Sequence, residues 1–531
     1  MATTVAAPPP PRSVPNFDVH EPRWLERVPP WLVTTAVLVL LSALSLFMRT
    51  RIISGQFWMD EALSVGISSR SLSAIPGVLH HDGSPPLYYM LLHVWMSVFG
   101  SSEAQTHALS LVFALLTIPA GTWVAWSLAG RRAGLIAAVL FALNPFLTAY
   151  AQETRMYTLM ALLGLLATQG FIQGFVYRRR RYLFLFAAAQ AVMLYTHSWG
   201  IFFGVGAAVA LIPVLRLSDE PKAILRDAVL SFGAAAVLFL PWLPTLLYQA
   251  AHTGSPWDPT PNFGAPVQIS RNLMGGDRAT AALVLGSAIG LSAFFSRAHR
   301  RSREALTMWV LILLPIGTLG FGWIVSRFSP AWQYRYFAPI LASFLLLFAI
   351  GLARARGVGL VALLLCVIFW ANPSSYTAKY KSDMRDVGGE MALLLHKGDL
   401  VVVGQPEQVP LAYYYLPGGL RYADPTGLTK DPQSANWVDA LKRIENADPR
   451  ATLTPLVASL KPGQQLLFVR PLTEGAQSWE ASWTQLVRRR SAQWGALLSS
   501  DPSLKPVAWA PHSYRGACCV GDSAVLYRKA S

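Results

Sequence analysis

The stretch WLVTTAVLVLLSALSLFMRTRIISGQFWMDE, residues Trp31–Glu61, contains the two features that decide the fold. Its first part, residues 31–50, has a single charged side chain, Arg49. An apolar helix of about 20 residues crosses the hydrocarbon core of a bilayer, so this run predicts a membrane span. Two adjacent carboxylates, Asp60 and Glu61, follow it closely. Carboxylates at a membrane surface are costly to bury, so this pair needs a chemical reason.

Apolar runs of similar length recur as far as residue 372. Of the 531 residues, 53% are hydrophobic and only 14% are charged, a composition typical of a polytopic membrane protein. We predict a polytopic α-helical protein with about eleven transmembrane helices, at residues 31–50, 106–129, 133–150, 157–176, 182–196, 199–215, 228–248, 280–296, 306–326, 334–351 and 357–372.

The basic residues cluster in short loops between these runs, at 131–132, 177–181, 216–227, 296–304 and 353–356. The net charge of +16 therefore indicates cytoplasmic loops and not a nucleic-acid partner. All clusters fall on one side if the N-terminus is cytoplasmic and Pro85–Gly100 lies in the outer interface without crossing. The Pro-rich residues 1–30 then form a disordered cytoplasmic tail.

This topology places the first outer loop, 51–105, and the loops 151–156, 249–279 and 327–333 on the extracytoplasmic side. Hydropathy falls after the last span, so residues 373–531 are predicted to be a soluble extracytoplasmic domain attached to the membrane domain, 31–372. The runs DLVVVG, QQLLFVR and SAVLYRK are predicted strands, and a helix is predicted at 386–396, which indicates an α/β or α+β domain.

Three polar clusters fall in the outward loops. Asp60 and Glu61 stand beside Phe57–Met59, and such a pair could bind a divalent metal or accept a proton from a hydroxyl. A polar outer loop without function is the simpler interpretation of any single acid. The other residues that could bind phosphate or complete the cavity are His81, Asp82, Glu153, Arg155, Tyr157, Arg335 and Tyr336.

Arginine suits phosphate because its guanidinium can donate two parallel hydrogen bonds. Arg155 and Arg335 could equally be interfacial anchors of helix ends. Taken together, carboxylates and arginines in one outward cavity at the membrane surface suit sugar transfer from a lipid phosphate. A carboxylate would activate the acceptor hydroxyl while an arginine or a metal stabilises the departing polyprenyl phosphate.

The motifs FWMDEALS, HHDGSPPLYYMLLHVW, NPFLTAYAQETRMYTLMALL and QYRYFAPI, in this order, resemble the GT-C superfamily of integral-membrane glycosyltransferases. The resemblance covers about residues 30–350. It lies with the bacterial branch that is similar to dolichyl-phosphate-mannose protein mannosyltransferases and includes aminoarabinose transferases. Ser84 departs from the aminoarabinose enzymes, which carry lysine before the proline there.

The resemblance implies the GT-C fold and an inverting transferase that uses a polyprenyl-monophosphate sugar at the outer face of the cell membrane. It puts Asp60 in the position of the essential first-loop aspartate, as metal ligand or in acceptor activation, with Glu61 as its partner. Asp82 and Glu153 match acids of the two outer loops. Arg155 and Arg335, with Tyr336, would bind the donor phosphate.

A divalent metal ion (Mg, Mn, Ca or Zn) is a possible cofactor, with Asp60 and Glu153 as its ligands. His81, Asp82, Glu153 and Tyr157 would line the substrate or metal pocket. The sugar could be mannose, arabinose, galactose or another, and the acceptor an envelope lipid, glycan or protein. The alternatives are a membrane transporter, which predicts ionisable residues deep within the spans, and a non-catalytic glycan-binding protein of envelope assembly.

Overall fold

The computed structural model describes residues 29–295, 302–371, 381–472, 481–510 and 521–530. Most of the predicted N-terminal tail and the boundary predicted at residues 372 and 373 lie outside these residues. The helices of the first part are α1 Pro30–Thr50, α2 Met59–Ser68, α3 Ile75–Asp82, α4 Leu87–Phe99, α5 Glu103–Ala129, α6 Arg131–Leu143, α7 Pro145–Tyr150, α8 Tyr157–Phe171, α9 Arg181–Thr196, α10 Gly200–Leu217, α11 Pro221–Phe239, α12 Leu243–His252, α13 Ala265–Leu273, α14 Asp277–Leu291, α15 Arg303–Phe328, α16 Ala338–Arg354 and α17 Arg356–Trp370.

Each predicted span overlaps a helix of the structure. In the part of the chain that the structure describes, seven helices are long and apolar enough to cross a membrane, at Trp31–Thr50, Glu103–Ala129, Tyr157–Val176, Gly200–Leu217, Pro221–His252, Arg303–Phe328 and Tyr334–Arg354. The other four predicted spans correspond to the shorter helices α6 with α7, α9, α14 and α17. The most buried long helices are α8 and α16, which form the centre of the membrane domain.

The span predicted at 133–150 is interrupted at Asn144, between α6 and α7. Pro145 begins α7, and its fixed φ and missing N–H suit a helix start. The Asn144 side chain accepts a hydrogen bond from the Leu147 N–H at 3.1 Å and donates one to the Leu273 carbonyl at 3.1 Å. This break lets the short helix α7 lead into the outer loop 151–156.

The segment Pro85–Gly100 forms the 13-residue helix α4. At 1.5 Å per residue it is about 20 Å long, which is less than the roughly 30 Å of a hydrocarbon core. Tyr88, Tyr89 and Leu92 on one face are fully buried, whereas Val98 on the other is 70% exposed. The helix thus has the amphipathic form expected of an interfacial segment.

The C-terminal domain is built on one six-stranded mixed sheet in the order β3-β2-β1-β4-β6-β5. Strand β1 pairs in parallel with β2 and β4, and the other pairings are antiparallel. This confirms the α/β prediction. The elements are α18 Met384–Met391, β1 Leu400–Val403, α19 Val409–Tyr415, β2 Arg421–Asp424, β3 Gly427–Thr429, α20 Ala440–Asn446, α21 Pro449–Ala458, β4 Gln465–Pro471, α22 Ser482–Ser500, β5 Leu504–Ala510 and β6 Asp522–Lys529.

The three predicted strands correspond to β1, β4 and β6, whose residues alternate between two buried clusters on opposite faces of the sheet. The predicted helix 386–396 is α18, which begins at Met384 and ends at Met391. Strands β2, β3 and β5 were not predicted, because β2 and β3 are short and their sequences, RYAD and GLT, contain no apolar run like the LVVV of β1. Strand β5 carries mostly exposed side chains, which gives it little apolar pattern.

The C-terminal domain rests on the first outer loop. The Phe57 N–H donates to the Tyr415 hydroxyl at 2.8 Å, and the Phe57 carbonyl accepts from the Ser382 hydroxyl at 2.7 Å. Further along the loop, Arg70 donates to both carboxylate oxygens of Asp431 at 2.6 Å. Helix α2, which carries Asp60 and Glu61, therefore lies between the membrane domain and the C-terminal domain.

Candidate active site

Helix α2 begins directly after the aromatic residue Trp58 and carries the two acids in its first turn. Glu61 accepts a hydrogen bond from the Trp58 backbone N–H at 3.2 Å, the return bond of a capping box. Although adjacent in sequence, the acids have different surroundings: the Asp60 side chain is 25% exposed, whereas that of Glu61 is fully buried. The two acids that the sequence presents as a pair therefore lie in two different environments.

Glu61 is held by three further donors from three parts of the chain. His107 Nε2 on α5 lies 2.6 Å from Oε1, the Thr154 N–H donates to Oε1 at 2.8 Å, and Lys381 Nζ lies 2.8 Å from Oε2. Burial alone would raise the pKa of Glu61, but Lys381 and His107 outweigh it and lower this pKa to about 2. The carboxylate ties α2 to α5, to the outer loop 151–156 and to the C-terminal domain.

Asp60 faces two guanidinium groups. Arg155 Nη2 and Arg335 Nη2 each lie 3.8 Å from Asp60 Oδ2. Arg155 is oriented by hydrogen bonds from Nη1 to the Ser64 hydroxyl at 3.1 Å and to the Asp60 carbonyl at 3.4 Å. The Nε atoms of both arginines are buried and have no hydrogen-bond partner among the described residues. The structure thus brings together the aspartate and both predicted phosphate ligands, with donors left unused.

Aromatic rings line the space around the two arginines. The Arg335 guanidinium lies 5.4 Å from the Trp58 ring centre and 5.5 Å from that of Tyr336, and the Arg155 guanidinium lies 5.8 Å from that of Tyr157. The rings of Tyr157 and Tyr336 are 6.4 Å apart. These cation–π contacts hold the guanidinium groups in fixed positions without neutralising their charge.

Three more acids border this centre, each with a carboxylate oxygen that lacks a hydrogen-bond partner among the described residues: Asp82, Glu153 and Asp258. Burial raises the pKa of Asp82 to about 6, and Arg155 opposes the shift. Burial raises the pKa of Glu153 to about 7, with Lys381 opposing and Glu61 adding to it. Burial likewise raises the pKa of Asp258 to about 6, against a hydrogen bond from Gln333 and the charge of Arg335.

His81 is the predicted site residue that the structure leaves outside the cluster. Its side chain is exposed, its Nδ1 lies 3.3 Å from the Gly77 carbonyl, and its own carbonyl accepts from the Trp437 N–H at 2.9 Å. In the described ranges, no group of three or more His, Cys, Asp or Glu side chains is arranged to hold a metal ion. The residues named for a metal, Asp60 and Glu153, thus lack the third such side chain of a typical site, and the metal requirement stays a prediction.

Sequence reasoning did not find His107, Lys381, Asp258 or Gln333. His107 falls within a predicted span, where an ionisable residue is itself a functional signal. Lys381 lies 320 residues from Glu61, and its side chain is only 4% exposed. No spacing rule joins residues so far apart. Asp258 stands between tryptophan and proline in an outer loop, where turn chemistry accounts for it equally well.

No protein-family model and no curated protein sequence matches this chain. Solved structures, in contrast, match over most of its length. ArnT from Cupriavidus metallidurans bound to undecaprenyl phosphate matches with a TM-score of 0.56 at 14% identity, over 93% of this chain and 98% of that chain. The oligosaccharyltransferase of Archaeoglobus fulgidus matches with a TM-score of 0.56 at 11% identity, over 86% and 72% of the two chains.

The mycobacterial arabinofuranosyltransferase AftD matches with a TM-score of 0.52 at 16% identity, over 93% of this chain and 41% of that chain. At these identities the comparison concerns the fold alone, which this chain shares with ArnT, the archaeal oligosaccharyltransferase and AftD. Together with the seven apolar helices, it makes this chain a multi-pass membrane protein with a C-terminal α/β domain.

Proposed function

We propose that this chain is a glycosyltransferase that moves a sugar from a polyprenyl-phosphate donor to an acceptor hydroxyl at the outer face of the cell membrane. The observation that carries the proposal is Asp60 placed 3.8 Å from both Arg155 and Arg335 in a largely buried space. The fold it shares with ArnT, whose structure holds undecaprenyl phosphate, supports the choice of donor.

The two arginines bind the donor phosphate in this proposal. Their guanidinium groups are fixed by aromatic rings, and each keeps a buried Nε without a partner among the described residues. A monophosphate diester carries one negative charge, which increases on the leaving oxygen as the glycosidic bond breaks. Donors already in place stabilise that charge more in the transition state than in the ground state.

Asp60 is the group that handles the acceptor proton. The acceptor oxygen attacks the anomeric carbon from the side opposite the phosphate, and the bond between that carbon and the phosphate oxygen breaks, with its electron pair leaving on the phosphate. The hydroxyl proton passes to Asp60, and the configuration inverts. General-base assistance of this kind contributes roughly 10²–10⁴-fold to rate.

Glu61, predicted from the sequence to be catalytic, is a positioning residue in this mechanism. Both of its oxygens already accept hydrogen bonds, so it fixes the first turn of α2 and with it the place of Asp60. A divalent metal at Asp60 and Glu153 stays a separate prediction. No step above uses it.

The sugar and the acceptor are left open within one class. Mannose, arabinose and galactose are candidate sugars, and an envelope lipid, glycan or protein is the candidate acceptor, because selectivity lies in the shape of the space around the site. We place the enzyme in the plasma membrane, or the inner membrane of a cell with two, with the N-terminus cytoplasmic and the C-terminal domain outside. A transporter or a non-catalytic glycan-binding protein remains the alternative, and neither requires Asp60 in chemistry.

The test is transfer by the purified full chain in nanodiscs. A panel of radiolabelled polyprenyl-phosphate sugars is offered with total envelope extract as acceptor. Label transfer by the wild type that is lost in Asp60→Asn and kept in Asp277→Asn supports the proposal. Asp277 is the matched control, because it is an acid in an outer segment whose side chain is 75% exposed. Absence of transfer from every donor, or equal activity in both variants, overturns it.

A further inference from the structure

The C-terminal domain turns two buried polar side chains toward helix α2. Gln405 and Glu407 lie between β1 and α19 and are 2% and 8% exposed. Glu407 Oε1 accepts from Trp483 Nε1 at 2.8 Å and from Gln405 Nε2 at 2.6 Å. These bonds fix the orientation of both side chains.

One side-chain oxygen of each residue makes no hydrogen bond. Glu407 Oε2 and Gln405 Oε1 are buried and have no hydrogen-bond partner among the described residues. A buried acceptor is unfavourable unless a donor reaches it. Two such acceptors on neighbouring residues indicate a ligand that supplies hydrogen-bond donors.

These residues lie on the Asp60 side of their domain. Gln405 Nε2 is 3.8 Å from the sulfur of Met59, the residue before Asp60. Burial raises the pKa of Glu407 to about 7, against the hydrogen bonds from Trp483 and Gln405, and the negative charge of Asp60 adds to the shift. Gln405 and Glu407 therefore lie close to the first turn of α2, which also carries Asp60.

The geometry points to Gln405 and Glu407 as the acceptor-binding residues of the site, with their unused oxygens receiving hydrogen bonds from the hydroxyl groups of a saccharide. This inference rests on the proposed function and adds the class of acceptor to it. A carboxylate repels the donor phosphate, which is drawn to Arg155 and Arg335 instead. A hydroxyl that donates to Glu407 is held on the side from which Asp60 can take its proton.

The inference also gives the C-terminal domain a part in the reaction. The membrane domain supplies Asp60 and both arginines, which the proposed function uses for the acceptor proton and the donor phosphate. Gln405 and Glu407 come from a separate stretch of chain, more than 300 residues after Asp60. Donor binding and acceptor binding are thereby assigned to different domains, so a variant can affect one without the other.

The experiment separates these two functions in the full chain in nanodiscs. Donor cleavage to water without acceptor is measured first, with the polyprenyl-phosphate sugar that supports transfer. Transfer is then measured while the envelope extract is titrated. In Glu407→Ala we expect the half-saturating amount of extract to rise at least about tenfold, as for loss of a hydrogen bond to a charged group. Donor cleavage to water should stay within about twofold of the wild type. Glu390→Gln, an exposed acid of the same domain, is the matched control.

Trp483→Phe is a second variant that keeps the buried ring and removes one bond to Glu407, so it serves if Glu407→Ala does not fold. We expect a smaller rise in the half-saturating amount of extract, of about threefold or more. An unchanged value in both variants overturns the inference. So does an equal loss of donor cleavage to water, which would place Glu407 against the donor sugar. Absence of transfer by the wild type from every donor overturns the proposed function and the inference together, and is recognised before any variant is measured.

Discussion

Lys381 Nζ lies 2.8 Å from Glu61 Oε2, and both side chains are buried, although 320 residues separate them in the chain. Lys381 also donates to the Gln152 carbonyl at 2.9 Å. The ammonium group therefore joins the first outer loop, the second outer loop and the start of the C-terminal domain at one point. The ion pair between Lys381 and Glu61 also fixes the position of Asp60, because Asp60 and Glu61 share one turn of α2.

Replacing Lys381 by methionine should strongly destabilise the protein. Removing one partner of a buried ion pair leaves an uncompensated charge, at a cost of about 3–5 kcal/mol. The thermal unfolding temperature in detergent should fall well below that of the wild type. Arg385→Met is the control: Arg385 pairs with Glu103 at 2.7 Å, but its side chain is 44% exposed, so we expect a change of about 1 kcal/mol or less. Equal unfolding temperatures for both variants would contradict the prediction.

Asp60→Asn should lower the rate of transfer by about 10²-fold or more while leaving the KM for the donor nearly unchanged. Asparagine keeps the size of the side chain but cannot accept the hydroxyl proton. Steady-state transfer kinetics with purified protein measure both constants. A KM that rises in proportion to the loss of rate would assign Asp60 to donor binding instead.

Arg335→Lys should raise the KM for the polyprenyl-phosphate donor by roughly 10- to 100-fold. Lysine keeps the charge but loses the planar pair of donors and the contacts with the Trp58 and Tyr336 rings. Arg327→Lys is the matched control. Arg327 lies in the last turn of α15, contacts the Trp323 ring and donates to the Pro261 carbonyl. Similar donor constants for the two variants would remove Arg335 from the phosphate site.

Glu153→Gln should stabilise the protein at pH 8 and have little effect at pH 5. Burial raises the pKa of Glu153 to about 7 in the folded chain, where Lys381, Glu61, Arg335 and Asp60 also act on it. Between the ordinary pKa of about 4.5 and this value, the unfolded chain loses a proton that the folded chain keeps. Stability therefore falls as the pH rises through this window, and glutamine removes that fall.

The difference between Glu153→Gln and the wild type isolates this one group from the other acids of the site. Its size at pH 8 should be of order 3 kcal/mol, since the shift from 4.5 to about 7 is about 2.5 pKa units and each unit corresponds to about 1.4 kcal/mol. Chemical or thermal unfolding at the two pH values provides the measurement. Equal stabilisation at both values would point to a packing effect and not to ionisation.

The orientation of the chain can be read with a membrane-impermeant maleimide. In a background with Cys366, Cys518 and Cys519 replaced by serine, we expect intact cells to be labelled at Ser71→Cys and not at Lys222→Cys. Both positions are exposed, one in the first outer loop and one in a basic loop predicted to be cytoplasmic. Labelling of Lys222→Cys alone would show that the chain has the opposite orientation.

The sequence allowed the helices to be located because apolar runs of membrane length are rare outside membrane proteins. The break at Asn144 was not predicted, because the apolar run continues through α7. Asp60, Arg155 and Arg335 entered one hypothesis because carboxylates and arginines occur together in the predicted outer loops and the motifs around them resemble one family. His107 left one signal, since it is an ionisable residue inside a predicted span. Lys381, Gln405 and Glu407 could not be found from the sequence, because their roles depend on contacts between distant segments and such residues are common in any protein.

The contact between Lys381 and Glu61 also has a consequence during synthesis. At about 5–20 residues per second, a ribosome needs roughly 16–64 s to make the 320 residues that separate the two. For that time α2 lacks the ammonium group that pairs with its buried carboxylate. In the predicted topology the first outer loop crosses the membrane early, but its final arrangement waits until the chain beyond the last predicted span has followed it. A nascent chain therefore holds Asp60 at the membrane surface for many seconds before the site around it is complete.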